Sequence, residues 1–315
     1  MRIVAGDIGG TKVLLRFVED GTTAREQRFE SAAYKTFDDL LRAFLGAAPH
    51  GKIDSACFAV AGPVFEDRAE VTNTGWFMSA NGLAEAFSIG RVTLINDFYA
   101  VALGVPLLAA GDLISLNAGK RVASAPIAIL GAGTGLGEAA LVYDGKKYDV
   151  VPGEGGHADF GPQDEEQGRL FVELLNKYGH VSWERVLSGM GLVNIDDFLR
   201  GITREYDEHI PMEIASLADE GDAIANRTFE IFVDIYGAEA GNMALRLLAR
   251  GGVFLAGGIA AKNMRHFTTG RFMEAFLRKG RFTDVVKSIP IDVIVNPEVG
   301  LLGAVEAARR GVESP

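Results

Sequence analysis

Two stretches of the chain share one pattern, in which an apolar run enters a glycine cluster and a second apolar run leaves it. Ile3-Val4-Ala5 leads into Gly6-Asp7-Ile8-Gly9-Gly10-Thr11, and Val13-Leu14-Leu15-Arg16-Phe17-Val18 follows. This reads as strand, glycine turn, strand, closed by Asp20-Gly21, a hairpin turn pair. Ile127-Ala128-Ile129-Leu130 likewise enters Gly131-Ala132-Gly133-Thr134-Gly135-Leu136-Gly137, and Ala139-Ala140-Leu141-Val142-Tyr143 runs on to Asp144-Gly145. With Thr11 set on Thr134, the two Asp-Gly pairs fall within one residue of each other. The spacing predicts an internal repeat at domain scale, far longer than a solenoid period. Two related β-sheet units imply two lobes facing one cleft.

Between the repeats, helix spacing covers residues 37–45, and β-rich runs cover 53–60 and 91–95, the first ending at Gly62-Pro63 and the second running into Asn96-Asp97. The second half is more helical: 167–178, 182–187, 195–206 and 223–249 all carry helix spacing. Residues 252–256 read as a buried strand stopped by Gly257-Gly258. A last helix is expected from about Gly300 to Arg310, with basic residues and Gly311 at its end. The class is α/β, and no low-complexity linker separates the halves.

Composition narrows the function. A chain of 315 residues suits two domains, and 48% hydrophobic with 23% charged residues is ordinary for a globular protein. The net charge of -11 argues against nucleic acid as a partner. It leaves nucleotides open, because a small anion is held by local backbone dipoles and a metal ion. The single cysteine, Cys57, sits in an apolar run and excludes a disulfide framework or a cysteine-rich zinc site. The N-terminus places an acid and glycines where a signal peptide needs its apolar stretch, and runs such as 99–110 are broken by Gly104 and Pro106. The expected location is the cytoplasm, with no membrane partner.

Each candidate chemical group has two readings. Neither glycine loop fits the GxxxxGK[ST] spacing, and the second has Leu136 where a dinucleotide fingerprint needs its last glycine. They are either tight hairpins without a ligand or paired phosphate cradles, with Thr11 and Thr134 adding hydroxyl donors and Asp7 holding Mg²⁺ directly or through water. Asn96 or Asp97 is a helix N-cap, or a carboxylate at a strand end that takes a proton from a hydroxyl. Glu154 and His157, joined across Gly155-Gly156, form a solvated turn or read a ligand. Glu184 is an acid in a first helical turn or a further ligand contact. Gly257-Gly258 is a strand-to-helix turn or a gap for an adenine ring.

Taken in order, these segments resemble the bacterial glucokinase family of the actin-like ATPase (hexokinase) superfamily, over essentially the whole chain. The glycine segments 6–11 and 131–137 look like its two phosphate loops, and Val71-Thr72-Asn73-Thr74-Gly75-Trp76 is similar to its Thr-Asn-x-x-Trp segment. Ile95-Asn96-Asp97-Phe98 matches the motif whose acid is the catalytic base. Glu154-Gly155-Gly156-His157 and Glu184-Arg185-Val186-Leu187-Ser188-Gly189 match the two sugar-binding segments, and Leu255-Ala256-Gly257-Gly258-Ile259 the adenosine motif. Lys12 stands where many members have asparagine and Ala132 where many have proline, both beside phosphate loops. The cysteine-rich zinc segment of the related ROK sugar kinases is absent.

The resemblance implies a two-lobed actin-like (ribonuclease H-like) fold, with residues 1–107 plus 298–315 in one domain and 108–297 in the other. It implies ATP and Mg²⁺ as cofactors, phosphorylation of glucose, and a homodimer. Asp97 would be the base. Asn73, Asn96, Asp97, Glu154, His157 and Glu184 would contact the sugar. Gly6, Asp7, Ile8, Gly9, Gly10, Thr11, Gly133, Thr134, Gly257 and Gly258 would contact the nucleotide, with Asp7 at the metal. The alternatives are a kinase of another hexose, a sugar-sensing regulator, or an ATPase module that binds protein partners. The last would have no need of Glu154, His157 and Glu184 beside Asp97.

Overall fold

The computed structural model describes residues 1–46, 51–71 and 74–313. Met1–Leu108 and the stretch from Asn296 onward make one compact unit, and Ala109–Val295 makes a second.

The first unit opens with a meander of β1 (Arg2–Ile8), β2 (Lys12–Glu19) and β3 (Thr22–Glu30). Asp20 and Gly21 turn β2 into β3 with φ of 49° and 80°, the left-handed pair that a two-residue hairpin loop requires. Next comes α1 (Phe37–Leu45), whose first turn is capped by the Thr36 side chain accepting from Asp39 N. Phe37, Leu40, Leu41 and Phe44 form its buried stripe at helical spacing, and Gly46 ends it at φ 78°. β4 (Ser55–Val60) follows, then a small antiparallel sheet of β5 (Val64–Phe65), β6 (Arg68–Val71) and β7 (Trp76–Ser79). α2 (Ala80–Phe87), β8 (Val92–Asn96) and α3 (Asp97–Gly104) complete this part.

The main sheet has the order β3-β2-β1-β4-β8, with β1 antiparallel to β2 and parallel to β4. Alternation along β1 divides its side chains between two cores. Val4 and Ile8 pack with Phe58 against Phe37, Leu40 and Phe44 of α1. Ile3 and Ala5 pack with Cys57 and Ala59 against Ala100 of α3 and Leu301, Ala304 and Ala308 from the last helix.

The second unit runs through β9 (Leu113–Asn117), β10 (Ile127–Ala132), β11 (Leu136–Tyr143) and β12 (Tyr148–Gly153). Helices α4 (Glu165–Tyr178), α5 (Gly189–Arg200), α6 (Ile210–Asp219) and α7 (Ala223–Leu247) follow. Then come β13 (Gly252–Ala256), α8 (Gly258–Lys262), α9 (Met264–Phe267), α10 (Arg271–Leu277), α11 (Thr283–Lys287) and β14 (Ile291–Ile294). The last described element is α12 (Val299–Glu313), which belongs to the first unit.

The sheet order here is β12-β11-β10-β13-β14-β9. β10 is antiparallel to β11 and parallel to β13, so the first five strands reproduce the topology of the other unit, and β9 is an addition on β14. The sequence repeat is therefore a repeat of sheet topology. α7 is the core helix of this unit: Phe229, Phe232 and Tyr236 are fully buried, and Tyr236 Oη accepts from Ala132 N at 3.2 Å and donates to Leu130 O at 3.3 Å. Those bonds satisfy a phenol that burial would otherwise strand.

Several elements differ from the sequence pattern. Residues 182–187 form only a single 3₁₀ turn, Trp183–Arg185, because Ser188 leaves that turn to cap α5, accepting from Gly191 N at 3.1 Å. α5 spans Gly189–Arg200, not 195–206, since Gly201 takes φ 65° and stops it. Strand β3 is exposed along nearly its whole length, so no apolar alternation marks it. Among the described residues, no helix is long and apolar enough to cross a membrane.

Candidate functional site

In the first unit the glycine hairpin joins β1 to β2, and Gly9 N donates to Lys12 O at 3.0 Å across it. Gly6 packs closely under two buried side chains. A Cβ there would lie 2.6 Å from Leu15 Cδ2 and 2.9 Å from Phe58 Cδ1. The loop is tied down by Ser31, whose hydroxyl donates to Gly9 O at 3.1 Å and whose N–H donates to Thr11 O at 2.9 Å. Ser31 is buried. Nothing in the sequence marked it, because its partners lie about twenty residues away on the far side of β3.

Asp7 sits near the end of β1 with Gly9, Gly10 and Thr11 just beyond. Burial and, secondarily, the Asp97 carboxylate push the Asp7 carboxyl up to about 6. Asn96 and Asp97 both accept from the first amides of α3. Asn96 is the N-cap of α3, its Oδ1 accepting from Phe98 N at 2.9 Å and Tyr99 N at 3.2 Å. Asp97 is the first helical residue, half-buried, with Oδ1 accepting from Phe98 N at 2.8 Å. Its charge is favoured at a helix N-terminus. Among the described residues, no three acidic, histidine or cysteine side chains gather tightly enough to cage a metal. Two neighbouring carboxylates, one strained toward protonation, are the donor set expected for Mg²⁺, which takes one or two carboxylates and completes its shell with water and phosphate oxygens. Asn73 lies outside the described residues.

In the second unit the hairpin between β10 and β11 has Gly133 N donating to Gly135 O at 2.8 Å. Thr11 and Thr134 are both exposed at their loop tips. Here the anchors come from the segment after β12. Leu136 N donates to Glu184 Oε2 at 3.0 Å, and Gly189 N donates to Gly133 O at 2.8 Å. Glu184 Oε1 stands 3.9 Å from His157 Nδ1, and His157 Nε2 stands 3.9 Å from Glu154 Oε2. Glu154, His157 and Glu184 thus form one cluster. The two glycines between Glu154 and His157 have separate reasons. A Cβ on Gly156 would be 2.2 Å from the Leu136 carbonyl oxygen, and one on Gly155 would be 2.0 Å from Glu138 Oε2. The turn Gly155–His157 lies flat on β11, where a side chain would lift it off.

Glu138, beneath that turn, is 4% exposed, and its Oε1 has no hydrogen-bond partner among the described residues. Burial, then the negative charge of Glu239 on α7, raise its carboxyl to about 7 against the opposing pull of Arg246. A single acid inside an apolar strand reads in sequence as solvent-facing, which is why it was overlooked.

Gly257 and Gly258 end β13. Gly257 has φ 81°, and a Cβ on it would stand 2.2 Å from the Ala132 carbonyl oxygen, so glycine brings β13 and β10 together here. Gly258 opens α8 and lines a cavity of about 580 Å³ with Gly133, Thr134, Tyr206, Lys262 and Asn263. The cavity therefore joins the second glycine hairpin to the Gly257-Gly258 turn. Tyr206, Lys262 and Asn263 were not singled out in the sequence, since they come from two segments far apart in the chain.

A family model described as glucokinase matches residues 4–311. The chain belongs to the glucokinase family. A glucokinase of Trichormus variabilis is 40% identical over 338 residues, covering 98% of this chain and 99% of that protein. Among solved structures, a glucokinase from an Antarctic psychrotroph superposes with a TM-score of 0.88 at 30% identity, over 98% and 99% of the two chains. A ROK family glucokinase from Streptomyces griseus, solved with glucose and AMPPNP, shares the fold at a TM-score of 0.64 and 20% identity, over 99% of this chain and 100% of that one. The glucokinase chain described here thus has the two-domain α/β actin-like fold of sugar kinases, and it is a hexose kinase.

Proposed function

We propose that this glucokinase transfers the γ-phosphoryl group of ATP to the 6-hydroxyl of D-glucose in the cytoplasm, with Asp97 as general base. The observation that carries the assignment of Asp97 is its position. It follows β8 directly, half-buried, with its carboxylate close enough to Asp7 to raise that acid. Asn96 takes Tyr99 N in a cap that both residues share at Phe98 N. Asp97 receives the proton of the 6-hydroxyl as that oxygen attacks the γ-phosphorus, and the bond from the γ-phosphorus to the bridging oxygen breaks to release ADP. Asn73, Asn96, Glu154, His157 and Glu184 orient the sugar by pairing with its hydroxyls, and a hexose with one hydroxyl missing or inverted leaves such groups unpaired. Gly6 to Thr11 and Gly133-Thr134 present backbone amides and hydroxyls to the phosphates, and Gly257-Gly258 leave space for the nucleoside. Asp7 holds Mg²⁺, directly or through water. When bound, the metal supplies positive charge that offsets the phosphate oxygens during transfer.

A positioned base contributes roughly 10²–10⁴-fold to such a step. Asp97→Asn is therefore expected to lower kcat by at least that factor while glucose binding, followed by calorimetry, stays within a few-fold. Near-normal turnover of the variant in a coupled assay across a hexose panel removes Asp97 from the role. The family resemblance favours a homodimer, which sedimentation of the purified chain checks.

A further inference from the structure

The carboxylate of Glu184 is shared between two tasks. Its Oε2 accepts from Leu136 N at 3.0 Å, at the foot of the second glycine hairpin, while its Oε1 faces His157 Nδ1 at 3.9 Å. The backbone after Glu184 strengthens the link. Ser188 Oγ donates to Glu184 O at 2.7 Å, and Gly189 N donates to Gly133 O at 2.8 Å. Gly135 makes the approach feasible: a Cβ there would stand 2.5 Å from Glu184 Oε2, and the neighbours it would meet are atoms of that carboxylate alone. The segment that reads the sugar and the loop that receives the phosphates are thus joined within one unit by a side-chain and a backbone hydrogen bond.

We propose that the tie between Glu184 and Leu136 couples sugar binding to nucleotide binding, so that each ligand tightens the binding of the other. The identity of the two ligands rests on the kinase reading above. A glutamate side chain has several rotamers, and ordering it opposes binding. A sugar hydroxyl donating to Oε1 fixes the carboxylate, and the fixed carboxylate holds Leu136 N and with it residues 133–135. Phosphates seated on those residues hold Leu136 and orient the carboxylate for the sugar. Whichever ligand arrives first meets the ordering cost, and the second does not. The coupling factor is the same in both directions, as linkage requires.

The test is calorimetric titration of a non-hydrolysable ATP analogue with Mg²⁺, without glucose and at saturating glucose. In the wild type the analogue is expected to bind on the order of tenfold more tightly when glucose is present. Gly135→Ala pushes the carboxylate off Leu136 N, and the factor is expected to fall below about twofold. Glu184→Gln has one acceptor oxygen, which serves either the amide or the sugar, so it too should lose the coupling beyond its weaker glucose binding. A wild-type factor retained in either variant overturns the tie, because coupling then arises elsewhere in the molecule. A wild type that binds both ligands with no coupling overturns the tie alone. One that binds neither overturns the kinase reading and the tie with it.

Discussion

The two glycine hairpins stand on sheets of the same topology, yet they are equipped differently. With Thr11 set on Thr134, Asp7 falls on Leu130, a fully buried apolar residue of β10. The parallel strand β8 ends in Asn96 and leads into Asp97, whereas β14 ends in Ile294. The carboxylates proposed for the metal and the proton therefore belong to the first unit. The second unit offers glycines, a cavity and the Glu154–His157–Glu184 cluster. The anchoring differs as well. The first hairpin is held by a neutral hydroxyl from Ser31, the second by the charged side chain of Glu184. A duplicated sheet fixes where a loop emerges, and single residues at its rim decide what the loop does.

The largest expected effect comes from erasing that difference. Asp7→Leu gives the first hairpin the residue of the second, and turnover should fall by on the order of 10²-fold or more through loss of charge stabilisation. Because the carboxylate is partly desolvated, the same change should raise the melting temperature. A variant that keeps its turnover would show that the asymmetry at this position carries no catalysis. Next in size is Gly156→Ala, whose Cβ would collide with the Leu136 carbonyl. It should raise the KM for glucose about tenfold and cost about 1–3 kcal/mol of stability, as overpacking does; the KM for ATP should change less.

Glu138→Gln tests the floor of the cluster. The wild-type acid is raised from its ordinary 4.5 to about 7 in the fold. Stability is therefore fully present below about pH 4.5 and lost as pH rises through about 7, where the folded state is forced to carry a buried charge. The loss amounts to about 3 kcal/mol at 1.36 kcal/mol per unit. Glutamine does not titrate, so in urea unfolding the variant should gain about that much over wild type at pH 8 and little near pH 4.5. An advantage independent of pH would refute the buried charge as its cause. The smallest effect belongs to Ser31→Ala. Losing one hydroxyl hydrogen bond should cost about 1 kcal/mol and raise the KM for ATP only a few-fold, with the KM for glucose steady. A larger shift in the glucose value would mean that Ser31 supports more than its own hairpin.

Both hairpins could be read from the chain because glycine clusters between apolar runs have few other folds available. α1 was equally plain from its apolar spacing, and the structure adds its cap at Thr36 and its stop at Gly46. β3 was hidden because Thr22 to Glu30 is nearly all exposed, and a strand held by pairing alone shows no period. Residues 182–187 read as helix because Trp183, Val186 and Leu187 have the spacing and Ser182 can cap it. The chain instead leaves the turn after Arg185 and lets Ser188 cap α5. At the site, Asn96 and Asp97 were both visible, but which one capped the helix depended on side-chain geometry. Ser31 was illegible because its partners on the first hairpin are distant in sequence, and Glu138 because a lone acid in an apolar strand reads as solvent-facing. Glu184 could be seen as a candidate, while its bond to Leu136 could not.

The return of α12 to the first unit has a consequence for the birth of the protein. Ile3, Ala5, Cys57 and Ala59 on one face of the first sheet are covered in part by Leu301, Ala304 and Ala308. A ribosome delivers the strands first, and the whole of the second unit must be made before that helix emerges. The nascent chain therefore carries an incompletely covered apolar face through most of its synthesis, the kind of surface that chaperones hold and that aggregates when they are scarce. A deletion of Val299–Glu313 would remove only one helix from the sequence. It would leave the unit that carries Asp97 without its second wall.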